Sequence, residues 1–216
     1  MYKIIISFAF LFLLFTGCNI TQEYTFNKDF SGKSDLEIDL SAFISFMGSM
    51  DSLNQNNTLD SLSYTFEKVA AEYENLGAKN ISYGWKNNQT MLYLTYEFSD
   101  IDLLNKVLAA ETGELLGGNF MGNKPEKVKF IKEGKNKITY NAPKVTNDTL
   151  LKNDDLAAMK EYYNYTLKFN FASPIKKIDN KNAELSSDKK SLKYSGSLFD
   201  IFASGYSTDF KLKLKH

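Results

Sequence analysis

The chain has 216 residues, and its 26 cationic residues, all lysine, balance 26 acidic ones for a formal charge of zero. One cysteine (Cys18) and one histidine (His216) leave no intramolecular disulfide, no cysteine cluster for zinc, no His-based metal site and no Ser-His-Asp triad. A neutral balance without arginine argues against nucleic-acid binding, which favours guanidinium forks and a basic surface.

Lys3 opens a positive n-region, and Ile4 to Phe15 follows as an apolar run broken only by Ser7. That run is too short for a bilayer span, which takes about 20 residues, and suits a secretory h-region. Thr16, Gly17 and Cys18 close it with small residues and the one cysteine. The alternatives are an uncleaved anchor or a secreted protein whose cysteine lies here by chance.

Residues 22–41 alternate. Tyr24 and Phe26 lead into a turn at Asp29-Phe30-Ser31-Gly32-Lys33, and Leu36, Ile38 and Leu40 return with Asp35, Glu37 and Asp39 on the opposite face. Period two around a glycine turn predicts a β-hairpin with one buried face. The acids are a solvated strand face or a cation cluster, and no Gly-bearing calcium loop accompanies them. Residues 42–57 are read as a connection, apolar and then polar. Its Phe43, Phe46, Met47 and Met50 either pack under the sheet or form an adaptable apolar surface, a use that methionine suits. In the second case Phe46, Met47 and Met50 are ligand contacts.

A helix is predicted over 58–76. Leu59, Leu62, Phe66, Val69, Ala70, Tyr73 and Leu76 recur at three- and four-residue steps, with Thr58 or Asp60 as cap and Gly77 as stop. A hairpin follows, with Ile81, Tyr83 and Trp85 on one face, a turn at Asn87-Asn88 and a return over 90–98. A second helix covers 100–110, capped by Ser99 or Asp100. The Gly-rich stretch 113–124 lacks both GxGxxG and a Walker ending, so it offers no phosphate cradle and no cofactor site. Residues 127–132 and 136–141 form a hairpin around Gly134, and 153–163 reads as a third helix. Strands return over 162–215, with a helical turn at 197–203 between them. The sum is one α+β domain over 18–216, with antiparallel sheet and two to three helices against it, and 162–216 as a possible sub-layer.

Residues 16–18 resemble a bacterial lipobox. The resemblance implies acylation of the Cys18 thiol, cleavage between Gly17 and Cys18, and a signal peptide over 1–17. Asn19 follows the cysteine, so the aspartate that retains some lipoproteins at the inner membrane is absent. Four stretches together (YTFNKDFSGKSDLEIDLS, the helix and hairpin after it, YEFSDIDLLNKVL and FNFASPIKKIDNKNAELSSDKKSLKYSGSLFDI) resemble LppM-like lipoproteins, and also lipoproteins of bacteroidete-type bacteria. This resemblance implies a lipid-anchored α+β domain of the bacterial envelope that binds a glycolipid, and it supplies no catalytic residue. In such bacteria it also implies O-glycosylation at Asp-Ser/Thr before an apolar residue, which Ser52 and Thr149 match.

A non-enzymatic envelope lipoprotein binding a lipid or another envelope component is therefore the first expectation. A structural lipoprotein docking onto a protein partner is the second. Catalysis would need paired carboxylates such as Asp100 with Asp102, or Glu37 with Asp39. Both pairs also read as a helix start and a strand face, and the other members of an active site are missing.

Overall fold

In the computed structural model, the described residues are 17–48, 52–114, 128–142, 163–197 and 207–215. The first hairpin is present as expected: β1 (Cys18–Phe26) pairs antiparallel with β2 (Gly32–Asp39). Its turn is tied by Asn27 and Ser31, whose side chains bond each other, and by the Asp29 carboxylate, which accepts from the Ser31 N–H and hydroxyl. Gly32 is required where it stands, because a Cβ there would lie 2.0 Å from the Thr25 carbonyl oxygen.

The connection expected over 42–57 is helical instead. Helix α1 (Ser41–Gly48) and helix α2 (Ser52–Leu76) fill most of it. Thr58 and Asp60 therefore lie inside α2 and cap nothing. Asp39 starts α1, its carboxylate accepting from the Ser41 N–H at 2.9 Å. Gly77 does end α2. Its φ is +106°, its N–H reaches the Glu74 carbonyl, and the Ala78 N–H reaches Tyr73, which is a Schellman stop.

The hairpin of β3 (Lys79–Lys86) and β4 (Met91–Phe98) turns through Asn87, Asn88 and Gln89, all with left-handed φ. Helix α3 (Ile101–Glu114) starts on Asp100, which accepts from the Leu103 N–H at 2.8 Å. Beyond Glu114 the Gly-rich stretch lies outside the described residues. The hairpin of β5 (Lys129–Glu133) and β6 (Lys137–Asn141) turns at Gly134, with φ +68°. The third helix predicted over 153–163 lies outside the described residues up to 162, and Tyr163 opens a strand. The C-terminal strands are β7 (Tyr163–Phe171), β8 (Ile175–Ile178), β9 (Glu184–Leu185), β10 (Ser191–Ser197) and β11 (Phe210–Leu214). Ser197 ends β10, and the rest of the predicted turn over 197–203 is outside the described residues.

Two sheets form. Seven strands run in the order β3-β4-β2-β1-β7-β10-β9, and four in the order β5-β6-β11-β8. The α+β class is as expected, with two corrections. The large sheet is mixed, because β1 and β7 pair in parallel over their whole lengths. Among the described residues, two helices of three turns or more, α2 and α3, make the helical layer, and α1 is a short segment leading into α2. The C-terminal strands divide between the sheets, with β7, β9 and β10 in the large one and β8 and β11 in the small one.

One face of the large sheet is apolar. Tyr24 and Phe26 of β1, Leu92 to Phe98 at alternate positions of β4, Leu167 to Phe171 of β7, and Leu192 and Tyr194 of β10 are all buried. Helix α2 packs on the β3 side of that face, while α3 reaches both β4 and β5. The small sheet meets the other half through Phe130, Tyr140 and Phe210. Asn105 of α3 joins the layers: its side-chain amide donates to the Phe130 carbonyl and accepts the Phe130 N–H, each at 2.8 Å. The opposite face is polar, and its charges are engaged by Lys168–Glu23, Lys86–Glu37 and Lys33–Asp35 pairs.

Phe169 is fully buried where the layers meet. Its ring lies 4.9 Å from Phe210, 5.0 Å from Tyr140 and 5.5 Å from Tyr24. Removing it leaves a cavity bounded by rigid rings. Phe169→Ala should cost about 3–5 kcal/mol, read as a lower urea midpoint with an unchanged m-value.

Candidate functional site

The candidate site is the end of the large sheet where Cys18 lies. Cys18 is the first residue of β1, directly after Gly17, and its parallel partner is Tyr163. No spacer separates Gly17 from the first strand. The thiol is free, and the residue is 9% exposed. Burial pushes its pKa up to about 11, helped by the Asp39 carboxylate nearby. The Tyr163 phenol is also raised, first by burial and then by the Cys18 charge. This corner of the fold disfavours any new negative charge and holds the thiol protonated.

The register shows what shares that end. Asn19 pairs with Asp39, Asp39 with Met91, and Met91 with Lys86. One step inward, Ile20 pairs with Ile38 and with Tyr165, Ile38 with Leu92, and Leu92 with Trp85. Leu92 is buried, while Ile20, Ile38, Tyr165 and Trp85 are only half-buried. The apolar face is thus less well covered at the Cys18 end than at its centre. The Trp85 indole N–H donates to the Ser63 hydroxyl of α2 at 2.8 Å, which holds the ring against that helix. Helix α1 begins at the same end, since Asp39 caps it and the Leu40 N–H donates to the Thr90 carbonyl in the β3–β4 turn.

The sequence-predicted residues fare unequally. Cys18 and the start of the 42–57 segment are brought to one end of the sheet. Phe46 and Met47 belong to α1, and Ser52 is the first residue of α2, but their side chains lie outside the described residues. Met50 and Thr149 lie outside them altogether. Sequence reasoning missed Ile20, Ile38, Tyr165 and Trp85 as members of this end. Their alternation was visible, but nothing in it indicated that β7 lies beside β1.

The paired carboxylates are structurally occupied. Asp100 caps α3 and accepts from the Ser99 hydroxyl, and its carboxyl is held below the usual range first by the Leu103 N–H and then by Ser99. Glu37 takes the Lys86 ammonium at 2.9 Å. Asp39 caps α1. No group of three metal-ligating side chains converges among the described residues. Three open clefts lie elsewhere. One of about 530 Å³ borders the 27–31 turn, one of about 540 Å³ runs between α2 and β3, and one of about 460 Å³ lies beside the start of α3. None is at the Cys18 end. No helix among the described residues is long and apolar enough to cross a membrane.

No protein-family model matches the chain, and no curated protein matches it in sequence. Among solved structures it is similar to the folded domain of LppM from Mycobacterium tuberculosis, determined by NMR. The identity is 10%, the TM-score 0.43, and the overlap covers 94% of this chain and 92% of that one. This is a distant likeness to an LppM-like fold, and it does not reach the lipoproteins of bacteroidete-type bacteria.

The raised thiol pKa makes a pH prediction. In the folded, unacylated domain, Cys18 alkylation should climb with pH and reach half its maximum only near pH 11, against about 9.0 for the unfolded chain. Two pKa units make the thiolate roughly a hundredfold scarcer below pH 9. The folded state keeps a proton that the unfolded state loses, so this group makes stability fall as pH rises from about 9.0 to about 11. A folded-state alkylation profile with its midpoint near pH 9 would show the thiol to be exposed.

Proposed function

We propose that this chain is an exported lipoprotein of the bacterial envelope, anchored by acyl chains on Cys18 after removal of residues 1–17. Its domain binds a lipid, a glycolipid or another envelope component and performs no catalysis. The observation that carries this reading is positional. The only cysteine stands at the junction of an apolar leader and the first strand of the fold. More than one acyl chain is needed for stable anchoring, since each buried CH₂ contributes about 0.8 kcal/mol and a single chain holds only marginally. The half-buried apolar residues near Cys18 and the apolar sequence of α1 provide surface suited to a lipid at that end. The location that fits is the outer membrane, on its periplasmic or surface face.

One observation favours a second reading, a structural lipoprotein that docks onto an envelope protein. Strand β3 is the end strand of the large sheet, and the cleft beside it runs along α2 past Ala70, Ala71 and Tyr83. An end strand offers unpaired backbone groups to an added strand.

Cys18→Ser should abolish incorporation of a labelled fatty acid and move the chain from the membrane pellet to the soluble fraction. Retained labelling would remove Cys18 as the anchor. The acylated chain, gently extracted, should carry a further lipid-sized mass in native mass spectrometry, lost in Phe46→Asp or Met47→Asp. Binding that survives both substitutions takes α1 out of the site. A bare mass, together with a stoichiometric crosslinked protein, selects the docking reading.

A further inference from the structure

We propose that the domain lies with one end of its large sheet flush against the bilayer, contacting it through α1, the Asn87–Thr90 turn and a set of aromatic residues. This inference rests on acylation of Cys18. A spacer would let a tethered domain tumble at a distance from the membrane. Here β1 starts on the anchor residue itself, so the sheet end that holds Cys18 sits where the acyl chains enter the lipid.

The register fixes what else is at that end. It includes the C-terminal ends of β2 and β3, the N-terminal ends of β4 and β7, the start of α1 and the turn joining β3 to β4. That turn reads Asn87-Asn88-Gln89-Thr90, polar and uncharged. Trp85 and Tyr93 stand behind it on opposite faces of the sheet, and Tyr163 and Tyr165 open β7 at the same end, amphipathic rings of the kind that settle at the headgroup level. The charges present are already engaged. Lys86 pairs with Glu37 and lies 4.3 Å from the centre of the Tyr93 ring, and Asp39 caps α1. The sequence of α1, SAFISFMG, carries no charge at all.

The far end differs. Nine residues of β1 place it on the order of 26 Å from Cys18. Its turns carry Lys28, Asp29, Asp100, Asp188, Lys189 and Lys190. Among the described residues, the anchor's end holds Glu37, Asp39 and Lys86, each engaged by a neighbour, beside amides and aromatic rings, while the turns of the other end carry more charge. A bilayer surface matches that asymmetry. The 530 Å³ cleft beside the 27–31 turn then faces away from the membrane, open to water and to other envelope components.

The test uses the full chain, expressed with its leader and reconstituted in vesicles of phosphatidylethanolamine and phosphatidylglycerol. Spin labels are placed singly through Asn88→Cys and Lys28→Cys, and the intact mass reports acylation. The label at 88 should lose collisions with a water-soluble nickel complex and gain them with lipid-dissolved oxygen, while the label at 28 keeps its aqueous values. Trp85, the one tryptophan, gives a check without substitution, since phosphatidylcholine with brominated acyl chains should quench it. Aqueous values at both labels and no quenching, on a chain whose mass shows acylation, overturn the flush orientation and leave the anchor standing. A mass without acyl groups overturns the anchor and the orientation with it.

Discussion

The parallel pairing of β1 with β7 is the contact on which the rest of the structure depends. It joins Cys18–Phe26 to Tyr163–Phe171 in unbroken register. Without it the N-terminal strands form a separate sheet of β3, β4, β2 and β1, and β7 and β10 have nothing to join on that side. Parallel pairing requires a long crossover, and here most of the chain lies between the two strands. The small sheet and both longer helices come from that crossover and its surroundings. They cover the apolar face the pairing creates. Phe169 shows the consequence at one residue: it is placed by β1 on one side and touches the small sheet on the other. Side-chain bonds reinforce the junction on the polar face, where Glu23 of β1 takes both the Lys168 ammonium and the Asn170 amide of β7.

That dependence explains what was legible in the sequence. Hairpins were, because a period of two and a local turn are contained in about twenty residues. The asparagine turn after Trp85 and Gly134 stand where the pattern placed them, and the first turn lies at 27–31, two residues before the expected 29–33, with Gly32 and Lys33 already in β2. Helix α2 was legible over 58–76, where one apolar stripe repeats. Its first turns, SLNQNN, carry no stripe, so its start was read six residues late. Helix α1 was missed because it is an eight-residue, mostly apolar segment, too short for periodicity to tell a helix from another apolar run. The β1–β7 partnership was not legible at all. Both strands alternate in the same way, and alternation says which face is buried without saying which strand lies alongside. The candidate site shared this limit. Cys18 declared itself by its place after the leader, whereas Trp85, Ile38 and Tyr165 became its neighbours only through the register.

The two ends of the sheet follow from the same registry. Strands that meet in full register finish together, so the character of each end is set by the residues just beyond the strands. At the Cys18 end, among the described residues, these are the Asn87–Thr90 turn and the uncharged helix α1, with Asp39 and Lys86 on the strand ends themselves. At the other they are lysines and aspartates in tight turns, such as Asp188, whose carboxyl is held below its usual range first by the Ser186 hydroxyl and then by the Lys190 N–H. The balanced composition of the whole chain conceals this division, because net charge carries no information about placement.

Acylation of a residue that the fold buries sets two free energies against each other. Cys18 faces the apolar side of β1 along with Ile20, Gln22 and Tyr24, and its thiol occupies space that a diacylglyceryl group cannot share. Opening the terminal Cys18–Tyr163 pair frees the side chain. Terminal pairs open at a cost near zero up to about 1 kcal/mol, and re-exposing a side chain of this size costs roughly another 1–2 kcal/mol. One sixteen-carbon chain entering lipid contributes about 12 kcal/mol at 0.8 kcal/mol per CH₂. The lipid side wins by a wide margin, so a domain acylated as proposed would give up its first strand pair and keep the rest of β1. If Cys18 carries the proposed anchor, the burial and raised pKa of the folded thiol place lipid attachment before β1 closes against β7. On that proposal the fold completes around an anchor already in place, and the nearest paired residues, Asn19 with Asp39 and Asn164, would be the first fixed point beyond it.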